Sequence, residues 1–524
     1  MKKILVLILC PLVVGPIWGL AQRVDNAEEN KQDTTRPYQE TYRPQLHFTP
    51  KAHWNNDPNG MVYYAGVYHL FFQYYPVGTQ WGPMHWGHAI SKDLLHWDEK
   101  AIALYPDSLG YIFSGSAVVD KENTSGFGKN GIVPLVAVFT YHDPKGDKAG
   151  RNDFETQAVA YSLDSGKSWV KYGHNPVVKN PGIRDFRDPK VCWYAPTKSW
   201  IMTLATKDRI TFFSSPNLID WKKESEFGHN VGSHGGVWEC PDLYLVEKSN
   251  KLNKTGKAIW VLSVNVGSGA PSGGSATQYF TGDFDGHHFT ASDTLTKWLD
   301  YGPDEYAGVN WSNTGNDLYF LGWMSNTRYA GATPTSTWRG GMTLTRKLGL
   351  AEVNDHYYVT SVPLTETLKK NASGSQQIKK NSAGIYVLES QKLNSPFMLT
   401  LNADYSHDFA ITLRNKTGDK LVLGYDKADN AYYIDRSAAG KTDFADGFGA
   451  RHKAPRLATG KEIYLQLIFD KSSVELFADR GKTSMTSLFF VKDGFDKLEI
   501  SSNQTDFDLK HAGLQWIKSI WTGK

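Results

Sequence analysis

Short apolar and aromatic runs punctuated by Gly, Pro, Asn and Asp dominate this chain from about residue 44 onward. Residues 61–64 and 67–75 flank Ala65-Gly66, which is a hairpin pattern. Further runs follow Pro189 (Val191-Cys192-Trp193-Tyr194) and Pro241 (Leu243-Tyr244-Leu245-Val246). Towards the C-terminus the pattern becomes strict alternation, as in Phe409-Ala410-Ile411-Thr412-Leu413 and Ser473-Val474-Glu475-Leu476-Phe477. A period of two places alternate side chains on opposite faces, so these stretches predict strands and an all-β chain.

One turn recurs with nearly the same residues. Ser91-Lys92-Asp93-Leu94-Leu95-His96-Trp97 is echoed at Ser162-Leu163-Asp164-Ser165-Gly166-Lys167-Ser168-Trp169 and at Ser215-Pro216-Asn217-Leu218-Ile219-Asp220-Trp221. A degenerate copy spans residues 281–289. A sandwich has many turns, but not one turn repeated every several dozen residues; that period belongs to blades of a β-propeller. We therefore expect a propeller over 43–347. A Lys-, Ser- and Asn-rich stretch follows, read as a linker over 348–384, and then a β-sandwich over 385–524.

The length of 524 residues agrees with two domains, and 13% aromatics with 48 Gly and 23 Pro favour short strands over helices. A net charge of +3 without a basic stripe argues against nucleic acid, and a neutral substrate fits the aromatic content better than a polyanion. Lys2-Lys3, an apolar stretch broken by Pro11 and Gly15, and Gly19-Leu20-Ala21 read as a signal peptide over 1–21, ahead of a polar, disordered lead over 22–42. The protein is thus expected in the periplasm or outside the cell, with no membrane span after cleavage. Lipoprotein anchoring at Cys10 ranks lower, because bulky Leu9 precedes it. Cys192 and Cys240 are expected to be buried, free and close to the site. No His or Cys cluster has metal-ligand spacing, so no metal or cofactor is expected.

The candidate chemistry lies in His53-Trp54-Asn55-Asn56-Asp57-Pro58-Asn59-Gly60. Alone it reads as a turn. Arg187-Asp188-Pro189 and Glu239-Cys240-Pro241 repeat the theme of an acid just before a proline that opens an aromatic strand. If these strands are equivalent blades, Asp57, Asp188 and Glu239 converge at one end of the funnel. Clustered carboxylates cost electrostatic energy, which points to chemistry. Two carboxylates flanking a glycosidic bond suffice for sugar hydrolysis. Asp57, among amides, is expected to stay ionised, as is Asp188 beside Arg187. Glu239, between Trp238 and Cys240, is expected in apolar company that suits an acid. Asp300, Asp304 and Glu305 are read as either pocket lining or turn, and Trp81, Trp311 and Trp323 as candidates for stacking on a sugar.

These motifs, with Phe113-Ser114-Gly115-Ser116, Gly322-Trp323-Met324-Ser325-Asn326 and Trp338-Arg339-Gly340, occur in the order seen in glycoside hydrolase family 32, and the chain resembles that family from about 45 to 520. The resemblance implies a five-bladed β-propeller followed by a C-terminal β-sandwich. It also implies a retaining hydrolase of terminal fructosyl linkages in levan, inulin or sucrose. It makes Asp57 the nucleophile, Glu239 the acid/base and Asp188 the transition-state stabiliser. Asn56, Gln73, Trp81, Phe113, Ser114, Arg187 and Trp323 are placed around the fructose. One departure is Asn55, where many members carry Met; polar residues there occur in some transferring members. A fructosyltransferase with the same site, and a non-catalytic sugar-binding propeller, are the competing functions.

Overall fold

The computed structural model describes residues 37–521. The expected signal peptide and residues 22–36 of the expected lead lie outside them. Among the described residues nearly all regular structure is strand, and no helix is long and apolar enough to cross a membrane.

Five sheets occupy the first part of the chain, each led by one strand: His53–Tyr64, Tyr111–Val119, Phe186–Tyr194, Trp238–Val246 and Tyr306–Asn310. Each leading strand touches the next, and Tyr306–Asn310 returns to His53–Tyr64, so the ring closes as a five-bladed propeller. Trp338–Arg339 adds a parallel strand to the edge of the first sheet.

An apolar cluster fills each gap between neighbouring sheets. Phe71 and Trp86 of the first blade meet Ala137 and Phe139 of the second. Val136 and Val159 meet Met202 and Phe213; Ile201 and Phe212 meet Leu262 and Phe280. Tyr244 and Val261 meet Phe320 and Leu348. Leu321 and Trp323 close the ring against Leu70 and Phe72. Blade strands are therefore covered on both faces, as the unbroken burial of Leu135–His142 illustrates.

The recurring turn joins the third and fourth strands of the first four blades. Ser91 Oγ accepts from Leu94 N at 2.8 Å while Asp93 Oδ1 accepts from His96 N at 2.9 Å. Asp164, Asn217 and Asp285 accept likewise from backbone N–H groups at 2.9, 2.8 and 2.6 Å. Such Asx turns reverse the chain at low cost. The fifth blade makes this link through Asn354-Asp355 in left-handed conformation, which is why the sequence shows no fifth copy.

Two readings need correction. The stretch expected as linker contains the outer strands of the fifth blade, Arg346–Val353 and His356–Pro363. Its Lys-, Ser- and Asn-rich part forms exposed edge strands of the sandwich, Ala372–Gln377 and Lys379–Lys380, where polar residues protect an unpaired edge. The end of the expected lead is packed: Tyr38 stacks on Trp521 at 3.9 Å, and the Arg43 guanidinium is fully buried against Glu40 and Thr49.

Six- and seven-stranded sheets form the sandwich. In Ser473–Ala478, Val474 and Leu476 face its core. The alternate positions face the propeller. Fully buried Glu475 accepts from Arg346 Nη2 at 2.6 Å, and Arg346 Nη1 reaches Asp300 at 2.8 Å. Asp304 pairs with buried Arg436. Asp300 and Asp304 thus belong to this junction and not to a sugar pocket. His47 sits between Asp470 (2.7 Å) and Glu475 (2.9 Å).

Burial disfavours a charged imidazole, but the two carboxylates outweigh it and raise the His47 pKa to about 9. A raised folded-state value means the contribution is fully present below the ordinary 6.5 and is lost as pH rises through about 9. Thermal melts should therefore show the wild type losing stability between about pH 7 and about pH 10. His47→Gln should start lower, by roughly 3–5 kcal/mol for a broken buried pair, and vary less across that window.

Candidate active site

Each leading strand carries a bulge near its start. Two residues stand opposite one: Asn56 and Asp57 opposite Gln73, and Phe113 and Ser114 opposite Thr140. Asp188 and Pro189 lie opposite Leu204, Cys240 and Pro241 opposite Val264, and Ala307 and Gly308 opposite Gly322. A bulge bends its strand and re-aims side chains. The first bulge residue is left-handed in three blades, with φ of 66° at Asp188, 43° at Cys240 and 56° at Ala307. Such backbone costs roughly 1–3 kcal/mol per residue and collects at functional sites. Pro189 and Pro241 are the second bulge residues, where the ladder is interrupted and the missing N–H goes unmissed. This accounts for the acid-before-proline signature.

The bulges gather the three acids. Asp57 accepts from Ser114 Oγ at 2.6 Å and Asn56 Nδ2 at 2.9 Å. Asp188 Oδ2 accepts from the backbone N–H of Cys240 at 3.0 Å. The Cys240 thiol lies 3.5 Å from Asp57 and 3.6 Å from Asp188, so one sulfur touches both carboxylates. Glu239 Oε1 receives Arg187 Nη2 at 2.9 Å and Nε at 3.2 Å; its other oxygen accepts from the Tyr306 hydroxyl. Arg187 Nη1 turns away from Glu239 to Asp185 (2.8 Å) and Glu155.

The electrostatics differ from the sequence reading. Glu239 has a guanidinium and a phenol for company, not apolar neighbours. Burial raises the Asp57 pKa, against hydrogen bonds from Ser114 and Asn56 and with Glu239 adding to the rise. Burial also lifts Asp188 well above the usual carboxylate range despite Arg187, helped by Glu239 and Asp57. Both were expected simply to be ionised; desolvation and neighbouring like charge instead pull each toward its protonated form.

The other expected residues divide by position. Phe113 stacks on His142 at 4.3 Å and meets the edge of Trp81 at 6.1 Å; Trp81 is 51% exposed, so these rings line the rim. Gln73 is buried opposite the first bulge, with Asn59 beside it. Asn56 is fixed by Trp54 Nε1 at 2.8 Å. Trp323 is buried behind that wall, 6.0 Å from the Trp54 ring, and its Nε1 has no partner. Trp311 is not at this site: it bonds the His69 carbonyl and stacks on Trp97. Cys192, also expected here, lies farther along its strand with Lys190 and Asp242 at the opposite cavity. Both cysteines are free. His85 and His88 are strand residues, and no group of three or more His, Cys, Asp or Glu among the described residues is placed to hold a metal.

Sequence reasoning missed Tyr306, Glu155 and Asp185. Tyr306 occupies in the fifth blade the position Glu239 has in the fourth, just before the bulge, but no acid-proline signature marks it.

Known proteins match this arrangement. The family model described as "Glycosyl hydrolases family 32 N-terminal domain" matches residues 47–361, and "Glycosyl hydrolases family 32 C terminal" matches 362–515. A levanase of Bacillus subtilis (strain 168) is 43% identical over 497 residues, covering 92% of this chain and 72% of its own length. An extracellular exo-inulinase of Aspergillus awamori is 36% identical, covering 92% of this chain and 96% of its own. The structure of a β-fructofuranosidase from Schwanniomyces occidentalis complexed with fructosyl-erythritol superimposes with a TM-score of 0.83 at 31% identity, over 93% of this chain and 100% of that one.

Burial and the three surrounding carboxylates raise the Cys240 thiol well above its ordinary value, so it stays protonated. A protonated, buried thiol is a poor nucleophile. Native protein treated with iodoacetamide at about pH 8 should show no label at Cys240 by peptide mass spectrometry, whereas denatured protein should label fully. Rapid labelling of the native thiol would contradict the packing described.

Proposed function

We infer the function from one premise: the chain belongs to glycoside hydrolase family 32. It is a glycosidase. Its relatives are named levanase and exo-inulinase, and on that ground its substrates are the terminal β-fructofuranosyl linkages of fructans, and sucrose. The observation that carries the reading is the meeting of Asp57, Asp188 and Glu239, from three separate blades, around one thiol and one guanidinium.

In this reading Asp57 attacks the anomeric carbon of the fructosyl unit. Glu239 gives its proton to the departing oxygen, and a fructosyl ester on Asp57 results. Glu239 then takes a proton from water, which attacks the ester and releases fructose with its configuration retained. Ser114 and Asn56 hold Asp57 on both oxygens. Positive charge develops on the sugar in the oxocarbenium-like transition state and is stabilised by the acid cluster, where Asp188 also accepts from ring hydroxyls. Arg187 and Tyr306 orient Glu239. Trp81 and Phe113 offer apolar ring faces to the sugar at the rim.

Hydrolysis is favoured over transfer. The named relatives are hydrolases. The departure at Asn55 bears on the wall and not on an acceptor: Asn55 is fully buried, its side-chain amide against the carbonyls of Arg339 and Gly340, which suit its nitrogen as donor. Export, to the periplasm or beyond the cell, fits an extracellular relative and the N-terminal sequence.

Products from concentrated sucrose should be free fructose and glucose, with little longer oligomer, by chromatography. Glu239→Ala should lower kcat roughly 10²–10⁴-fold with an unchanged melting temperature; near-normal turnover would remove Glu239 from the acid/base role. Ser114 donates to the ionised form of Asp57, so its loss raises the pH at which Asp57 gives up its proton. Ser114→Ala should therefore move the acidic limb of kcat/KM to higher pH, and an unmoved limb would separate Ser114 from the nucleophile.

A further inference from the structure

Arg187 can donate five hydrogen bonds. Nε and Nη2 go to Glu239, while Nη1 goes to Asp185 at 2.8 Å and to both oxygens of Glu155 at 3.2 and 3.3 Å. Glu155 comes from the third strand of the second blade, Glu155–Ser162, and is 1% exposed. Its remaining contacts are also fixed: Phe186 N donates to Oε2 at 2.8 Å, and His142 Nδ1 lies 3.4 Å from Oε1. His142 in turn carries the Phe113 ring on its face. One buried carboxylate therefore braces both the cation that holds Glu239 and the aromatic wall across the pocket.

We propose that Glu155 is a positioning residue for the acid/base: it anchors Arg187 from behind and shares the guanidinium's charge, which sets how tightly Arg187 binds Glu239. The proposal rests on the reading of Glu239 as that acid/base. Without Glu155, Arg187 would hydrogen-bond Glu239 and Asp185, with Asp188 nearby, and would bind the Glu239 carboxylate more tightly, which favours its ionised form. The other charged and titratable groups are already set. Around Glu155 stand His142 and, 3.8 Å from His142 Nε2, Asp147. Around Arg187 stand Asp185 and Asp188, and around Glu239 stand Tyr306, Cys240, Asp57 and Asp188. Despite burial, Arg187 and His142 hold Glu155 below the usual carboxylate value, so its charge is in place. Asp185, 22% exposed, is the weaker brace because water screens it.

The test is the alkaline limb of kcat/KM for sucrose, which reports loss of the acid's proton. Glu155→Gln keeps the shape and removes the charge; it should move the limb down by about one pH unit, the low end of what one neighbouring charge does. Asp185→Asn should move it the same way by less, and Glu155→Asp should restore most of the shift. A purely structural role would lower the melting temperature and leave the limb where it was. A limb unmoved in Glu155→Gln overturns the proposal. Should that variant not fold, an unmoved limb in Asp185→Asn overturns it equally. Glu239→Gln separates the two layers: if its residual activity keeps the wild-type alkaline limb, the acid/base reading itself fails. If the limb vanishes there yet stands still in Glu155→Gln, only the role of Glu155 fails.

Discussion

Closing five sheets into a ring brings five strands to one axis, and every one of them breaks its ladder by one residue near its start. That shared bulge is the constraint on which the rest depends. A regular strand would point alternate side chains into the neighbouring blade, where the gaps are already filled by apolar clusters. The extra residue turns Asp57, Ser114, Asp188 and Cys240 out of those gaps and into the mouth of the funnel. The left-handed backbone at Asp188, Cys240 and Ala307 is the conformational strain that goes with it. The acids are consequently not at equivalent positions: Glu239 precedes its bulge, Asp188 opens one and Asp57 completes one. They approach the same space from different heights, as a substrate gripped from two sides requires.

Charge is handled differently at the two ends of this architecture. At the junction with the sandwich, buried ions are closed off completely: Arg346 lies between Asp300 and Glu475, and His47 between Glu475 and Asp470. Such groups hold one body against another and are costly to break. At the funnel mouth the balance is left open. Glu155, Asp185, Asp188 and Glu239 crowd around one guanidinium, a thiol touches both Asp57 and Asp188, and burial lifts Asp57 and Asp188 above their ordinary values. An excess of acceptors in a desolvated pocket is a poor structural arrangement, but it suits a sugar that brings hydroxyl donors and develops positive charge as it reacts.

Much of this was legible in the chain. The Ser/Asx turn is short and self-contained, so its residues recur where the third strand meets the fourth in four of the five blades, and the propeller could be read from it. The acid-before-proline signature marked three bulges because proline is tolerated where the ladder is interrupted. The fifth blade had neither mark. Its bulge uses Ala307-Gly308 and its outer turn Asn354-Asp355, so Tyr306 went unseen and its outer strands passed for linker. Glu475 falls in an alternating strand; alternation says that two faces differ, not what covers each. Glu155 was silent for a different reason: it is one acid in a blade strand, and only the folded register sets it against Arg187. The pKa directions at Asp57 and Asp188 could not be read from neighbours in sequence, since desolvation by the whole ring dominates them.

The claim at the centre is that Asp57 forms a bond to the fructosyl unit while Glu239 serves the oxygen on the other side. Rapid quenching of Glu239→Ala with an activated fructoside, whose leaving group needs no proton, tests it directly. The account predicts an ester of one fructosyl unit on the peptide containing Asp57, which disappears in the Asp57→Asn, Glu239→Ala double variant. A fructosyl adduct on any other residue, or turnover that inverts the anomeric centre, would contradict it.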